Sequence, residues 1–148
     1  MTASLNKVID TLSGLLRAEQ IGVFHFMAEA DTYISSRFAE MRRPLRQMVE
    51  AAGRREGELA AAIVDLGGTL RPPPLSPEMQ YMAYLSVGYL LPKLVLARQQ
   101  TIHRYEQALE QLRDAPPEVV DLLRKHLAEL REELAVLQKA ANAPAQRP

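Results

Sequence analysis

The stretch Arg54-Arg-Glu-Gly-Glu-Leu-Ala-Ala-Ala-Ile-Val-Asp-Leu-Gly-Gly-Thr-Leu-Arg-Pro72 decides how this chain folds. Phe38, Met41, Leu45 and Met48 before it, and Leu59, Ile63 and Leu66 within it, recur at the spacing that lines one face of an α-helix. Ala52 and Arg55 fall on the same stripe, so this helix points an arginine at the core. Gly67-Gly68 reads as the helix stop, because glycine accepts the left-handed conformation that closes a helix. Upstream, Pro44 marks a kink or a restart, since proline suits a first turn and breaks a helix interior.

The same periodicity on either side predicts three more helices. The first spans Leu5 to about Ser35, capped by Ser4 or Thr2, with Leu5, Val8, Leu12, Leu15, Leu16, Val23, Phe26, Met27, Ala30 and Tyr33 as its apolar face. Glu19 falls on that face, between Leu16 and Val23. From Thr69 to Pro77 consecutive prolines exclude helix and favour an extended link. Ser76-Pro77-Glu78 then opens a helix to about Arg113, kinked at Pro92, with Leu91, Val95, Arg98, Ile102, Tyr105, Leu109 and Leu112 on its stripe. Asp114-Ala115-Pro116-Pro117 breaks the chain before a last helix from Glu118 to Ala140.

The predicted fold is all-α: an antiparallel four-helix bundle made of two helical hairpins joined by a proline-rich link. Residues 1–141 form this single domain and residues 142–148 a polar, proline-rich tail. Nine extended residues reach about 30 Å against about 40 Å of helix, so a crossover between hairpins and a plain up-down-up-down order both remain open.

Composition narrows the function classes. The 148 residues include 47% hydrophobic residues, enough for a core, and no cysteine, which excludes disulfides, thiolate catalysis and cysteine-bound metal clusters. Eighteen basic and 18 acidic residues cancel, which argues against nucleic acid as a partner. The apolar run Met79 to Ala97 is interrupted by Glu78, Gln80, Ser86, Pro92 and Lys93 in or beside it, so it reads as a core helix in place of a membrane span, and a peripheral membrane contact by its tyrosines is the minor alternative. The N-terminus lacks a basic start followed by an apolar run, so the expected location is the cytoplasm. There is no nucleophile triad and no glycine-rich phosphate loop.

Four segments carry a resemblance. They are Leu12 to Phe24 around Glu19, Glu58-Leu59 through Leu66-Gly67-Gly68-Thr69, Leu94 to Leu109 around Arg98, and Leu122 to Glu129 around His126. Together they resemble the four helices of the ferritin-like superfamily, specifically its bacterioferritin and rubrerythrin branch. The resemblance implies a bundle whose centre holds two iron or manganese ions on four glutamates and two histidines, including a Glu-x-x-His pair on each of two helices. Glu19 matches the first-helix glutamate. Ala52 and Arg55 stand where the second-helix pair belongs, and Arg98 where the third-helix glutamate belongs. On the last helix one alignment puts His126 and Glu129 in the pair, in reversed order, and a shift of one residue puts Leu127 and Leu130 there instead.

Most of the dimetal ligand set is therefore replaced. Two guanidinium groups, which stay protonated, repel a divalent ion and can satisfy buried carboxylates in its place. The expected site is a buried polar cluster of Glu19, Arg55, Arg98, His126 and Glu129, with no catalytic residue, metal or cofactor. His25 and His103 read as surface or flanking histidines. The leading function is a metal-free, salt-bridged bundle that acts through protein contacts as a homo-oligomer. Its motive is the apolar residues outside the main stripes: Ile21, Phe24, Val119, Leu122, Val136 and the tyrosines Tyr81, Tyr84 and Tyr89. One rival is an iron or manganese oxidoreductase or iron-storage protein using Glu19, His126 and Glu129, with Glu50 or Glu56 as further ligands. The other is a bundle that binds an apolar small molecule such as a quinone or haem.

Overall fold

A computed structural model describes residues 4–27, 36–72 and 87–142. Its helices are α1 (Leu5–Gln20), α2 (Val23–Met27), α3 (Arg42–Asp65), α4 (Val87–Gln111) and α5 (Pro117–Asn142), with a 3-10 helix, Ser36–Met41, leading into α3. Among the described residues there is no strand.

Ser4 caps α1, its hydroxyl accepting from the Lys7 N–H at 3.2 Å. The first helix does not run unbroken as its apolar stripe suggests. The chain turns at Ile21 and Gly22, where the Gly22 N–H donates to the Glu19 carbonyl at 3.1 Å. A Cβ on Gly22 would stand 3.3 Å from that carbonyl oxygen, so the turn favours glycine. Pro44 lies in the first turn of α3 and does not interrupt it. Gly67, at φ 89°, closes α3 in the left-handed region. Helix α4 runs through Pro92 and ends at Gln111, two residues short of the predicted stop. Helix α5 extends through Asn142, which the sequence reading gives to the tail. The expected helix beyond Met27, the start at Ser76-Pro77, Tyr81, Tyr84 and residues 143–148 lie outside the described residues.

Side-chain pairings fix the topology. Gly68 approaches Ile9 while Glu56 meets His25, so α1 and α3 are antiparallel. Arg98 meets Glu133 and Tyr105 meets His126, so α4 and α5 are antiparallel. Arg54 meets Glu129 and Glu58 meets His126, which makes α3 and α5 antiparallel neighbours. The order is up-down-down-up, and α3 ends at one end of the bundle while α4 begins at the other. That resolves the alternative in favour of a crossover.

The interior is divided. One core joins Val8, Leu12 and Leu16 of α1 to Leu59 and Ile63 of α3, Ile102 and Tyr105 of α4, and Leu123, Leu127 and Leu130 of α5. The other joins Val23 and Phe24 of α2 to Leu45, Met48 and Ala52 of α3, Leu90 and Leu94 of α4, and Leu137 of α5. Along the chain the change of core falls between Leu16 and Val23, Ala52 and Leu59, Leu94 and Ile102, and Leu130 and Leu137. The residues placed between them are Glu19, Arg55, Arg98 and Glu133.

Candidate functional site

Each long helix contributes one charge to the layer between the two cores, and the charges are two glutamates and two arginines. Glu19, Arg55 and Arg98 are buried, and the Glu133 side chain keeps 12% of its exposure. Glu133 holds the layer together. Its Oε2 accepts from Arg55 Nη1 at 2.7 Å and its Oε1 from Arg55 Nη2 at 3.3 Å, a two-pronged guanidinium–carboxylate pair. Arg98 Nη2 lies 2.9 Å from the same Oε1, close enough to pair in charge but out of line for a hydrogen bond. The Arg98 guanidinium carbon also stands 4.1 Å from the centre of the Phe24 ring, a cation–π contact.

Burial acts unevenly on these groups. It opposes the charge of Arg55, but hydrogen bonds and charge from Glu133, with help from Glu19 and Glu129, outweigh it and raise its pKa. For Arg98 burial wins over Glu133 and Glu19, and its pKa falls. Burial likewise pushes the Glu19 carboxyl above its ordinary range, against the pull of Arg98 and Arg55. Glu19 Oε1, Arg55 Nε and Arg98 Nε are buried without a hydrogen-bond partner among the described residues.

A second network runs outward from this layer. Glu129, half-buried, accepts from Arg55 Nη1 at 3.2 Å and from Arg54 Nη2 at 2.7 Å. Burial opposes the Glu129 charge, but the two arginines hold its carboxyl below the ordinary range. Arg54 Nη1 also donates to Glu58 Oε1 at 2.7 Å. Glu58 in turn meets His126 Nε2 at 3.1 Å and Lys125 Nζ at 3.3 Å. Burial again opposes its charge, and hydrogen bonds from His126 and Lys125 outweigh that and keep it ionised.

His126 completes the chain inward. Its Nδ1 lies 2.9 Å from the Tyr105 hydroxyl, and both residues are fully buried. An ionised carboxylate only accepts, so Nε2 carries the proton toward Glu58 and Nδ1 accepts from the Tyr105 O–H. Burial keeps the imidazole neutral against the pull of Glu58. Burial also pushes the Tyr105 phenol well above its ordinary range.

These positions redraw the expected cluster. Glu19, Arg55 and Arg98 share the charged layer, Glu129 lies at its outer edge, and His126 is bonded to Tyr105 and Glu58 in place of the arginines. The carboxylate that engages both buried arginines is Glu133, which the sequence reading missed. The spacing Leu130-Glu133-Leu137 repeats that of Leu16-Glu19-Val23 and Ala52-Arg55-Leu59, and this was the available signal. His25 is bonded through Nδ1 to both oxygens of Glu56, at 2.9 and 3.0 Å, and His103 is exposed. Glu50 is exposed.

The residues do not fit a dimetal centre. Both oxygens of Glu133 face guanidinium nitrogens, Glu129 is engaged by Arg54 and Arg55, and both His126 nitrogens are in hydrogen bonds. Among the described residues no group of three or more histidine and acidic side chains is arranged to hold a metal ion. No described helix is long and apolar enough to cross a membrane.

No protein-family model and no curated protein matches the chain. Solved structures do. The fold is similar to that of ferritin-like, diiron-carboxylate proteins from Bacillus anthracis strain Ames, at 21% identity and TM-score 0.74, over 96% of this chain and 100% of that one. It is also similar to Dps from Mycobacterium smegmatis, at 19% identity and TM-score 0.72, over 99% of this chain and 98% of that one. With its four long helices, its crossover and these likenesses, the chain has the fold of the ferritin-like superfamily.

Proposed function

We propose that this protein is a ferritin-like bundle with an electroneutral salt-bridged centre in place of a dimetal site, and that it works through contacts with further copies of itself. The observation that carries the reading is Glu133 held by Arg55 and Arg98 in the layer where the resemblance places metal ions. Two guanidinium charges in a poorly screened interior repel a divalent cation, and of the carboxylates beside them Glu129 and Glu133 are already engaged by arginines. The rival reading, an iron or manganese centre on Glu19, His126 and Glu129, draws support from the likeness to diiron-carboxylate proteins. Metal analysis of protein purified without chelator separates the two. About two iron or manganese ions per chain, the dimetal stoichiometry, would overturn the proposal.

Self-association keeps only Tyr89 and Val136 of the described residues that suggest it in the sequence. Phe24 and Val119 are buried inside the bundle, and Ile21 and Leu122 are half-buried. Among the described residues the large apolar side chains that remain exposed are Leu5, Val64, Leu70, Tyr89, Leu96 and Val136. Tyr89 and Leu96 lie seven residues apart, so they share one side of α4. Sedimentation at micromolar concentration tests this, and a monomer alone would count against it. An absorbance spectrum of the purified protein tests for a haem or quinone.

A further inference from the structure

We infer that Tyr105 is a redox-active tyrosine, able to give up one electron to a small outer-sphere oxidant while its phenolic proton moves to His126. The juxtaposition behind this is a three-residue wire from the core to the surface. The Tyr105 O–H donates to His126 Nδ1 at 2.9 Å, and His126 Nε2 faces Glu58 Oε1 at 3.1 Å. Tyr105 and His126 are fully buried, whereas the Glu58 side chain is 30% exposed and also meets Lys125. Only at Glu58 does the wire reach solvent.

A phenol that loses an electron becomes a strong acid, and in a dry interior it stays oxidised only if a base is already in contact to take its proton. Here the base is in place and neutral. The Tyr105 O–H bond breaks, an N–H bond forms at His126 Nδ1, and the electron leaves to the oxidant, which is reduced by one electron. The products are a neutral phenoxyl radical and an imidazolium. That imidazolium keeps its Nε2–H on the Glu58 carboxylate, whose charge compensates it. Reduction by one electron reverses each transfer. Burial then protects the radical, because a second phenoxyl cannot reach it to couple. The other charges around the pair are Arg55, Arg98, Glu19 and Glu129 near Tyr105, and Arg55 and Glu129 near His126, so acids and bases both face it. This wire is independent of whether the chain self-associates.

The test uses the full chain with the other tyrosines removed by Tyr33→Phe, Tyr81→Phe, Tyr84→Phe and Tyr89→Phe, so that any tyrosyl radical belongs to Tyr105. The protein is mixed with hexachloroiridate(IV), frozen at increasing delays and examined by electron paramagnetic resonance. The expected result is a tyrosyl signal that persists after the excess oxidant is removed and disappears when Tyr105→Phe is added. Adding His126→Phe should abolish the persistent signal. Glu58→Gln, at a half-exposed site that leaves the core packing alone, should lower its yield and shorten its lifetime, and circular dichroism checks that each variant stays helical. No signal in the background protein would overturn the inference. So would the same yield and lifetime in folded His126→Phe. If His126→Phe does not fold, Glu58→Gln decides alone, and an unchanged signal there would overturn the wire.

Discussion

Replacing Glu133 by glutamine keeps the size and shape of the side chain and removes one charge from a layer that has no spare one. In the native protein that carboxylate accepts two hydrogen bonds from Arg55 and lies 2.9 Å from Arg98. Arg55 would keep Glu129 at 3.2 Å, but Arg98 would keep only the Phe24 ring and the charge of Glu19 nearby. Removing one partner of a buried ion pair costs about 3–5 kcal/mol, because the remaining charge stays desolvated. The expected loss for Glu133→Gln is in that range, and it corresponds to a fall of roughly 10 °C in midpoint for a domain of this size. Urea unfolding followed by helicity measures it, with the slope of the transition checked for constancy. Arg98→Met is the informative companion. Burial already outweighs attraction at Arg98, so deleting its charge should cost little beyond the cation–π contact, about 0.5–2 kcal/mol. A Glu133→Gln loss below about 1 kcal/mol, the scale of an exposed pair, would refute the account of the layer.

Glu19→Gln should flatten the pH profile of stability: the raised folded pKa of Glu19 means that ionising it disfavours folding as pH rises through and above the ordinary carboxyl range, and the variant lacks that loss. His126 has the opposite sign: a base whose folded pKa is depressed stabilises the fold above about 6.5, its unfolded value, and loses that contribution as pH falls below it. On lowering the pH from 7.5 to 5, the native chain should therefore lose stability relative to His126→Gln. Gly68→Ala places a Cβ 2.8 Å from Ile63 Cγ2, 2.9 Å from Ile9 Cγ2 and 3.1 Å from the Ile63 carbonyl oxygen. Two branched side chains and a backbone atom must yield, at about 1–3 kcal/mol of overpacking, measurable by the same unfolding assay.

What the sequence disclosed, and what it withheld, follows from how each residue signals. Glu19, Arg55 and Arg98 announce themselves because each is a charge on an otherwise apolar stripe, and burial of a charge requires a partner. Glu133 gives a weaker signal, since Glu129 and Glu132 lie beside it and any of the three acids could face inward. Anchoring the last helix on His126 then selected the wrong turn. The break at Gly22 is hidden for a related reason: Val23 and Phe26 continue the stripe across it, so periodicity alone reads one helix where the turn at Ile21 and Gly22 makes two. The crossover depends on which helix ends meet, a relation between distant segments that no local pattern encodes.

Those relations also explain the charge types. A layer with one ionisable group from each of four helices needs its net charge near zero to survive burial, and relatives in this fold can meet that condition with acids around cations. Two arginines opposite Glu19 and Glu133 meet it without a cation, but only if all four axial positions coincide. A change at any one of them should therefore propagate to the others as non-additive coupling. In a double-mutant cycle, Glu133→Gln with Arg98→Met should cost less than the sum of the single changes, because the methionine removes the charge that the glutamine leaves unpaired. Simple additivity would mean that the two residues are neighbours without being partners, and the central layer would lose its physical basis.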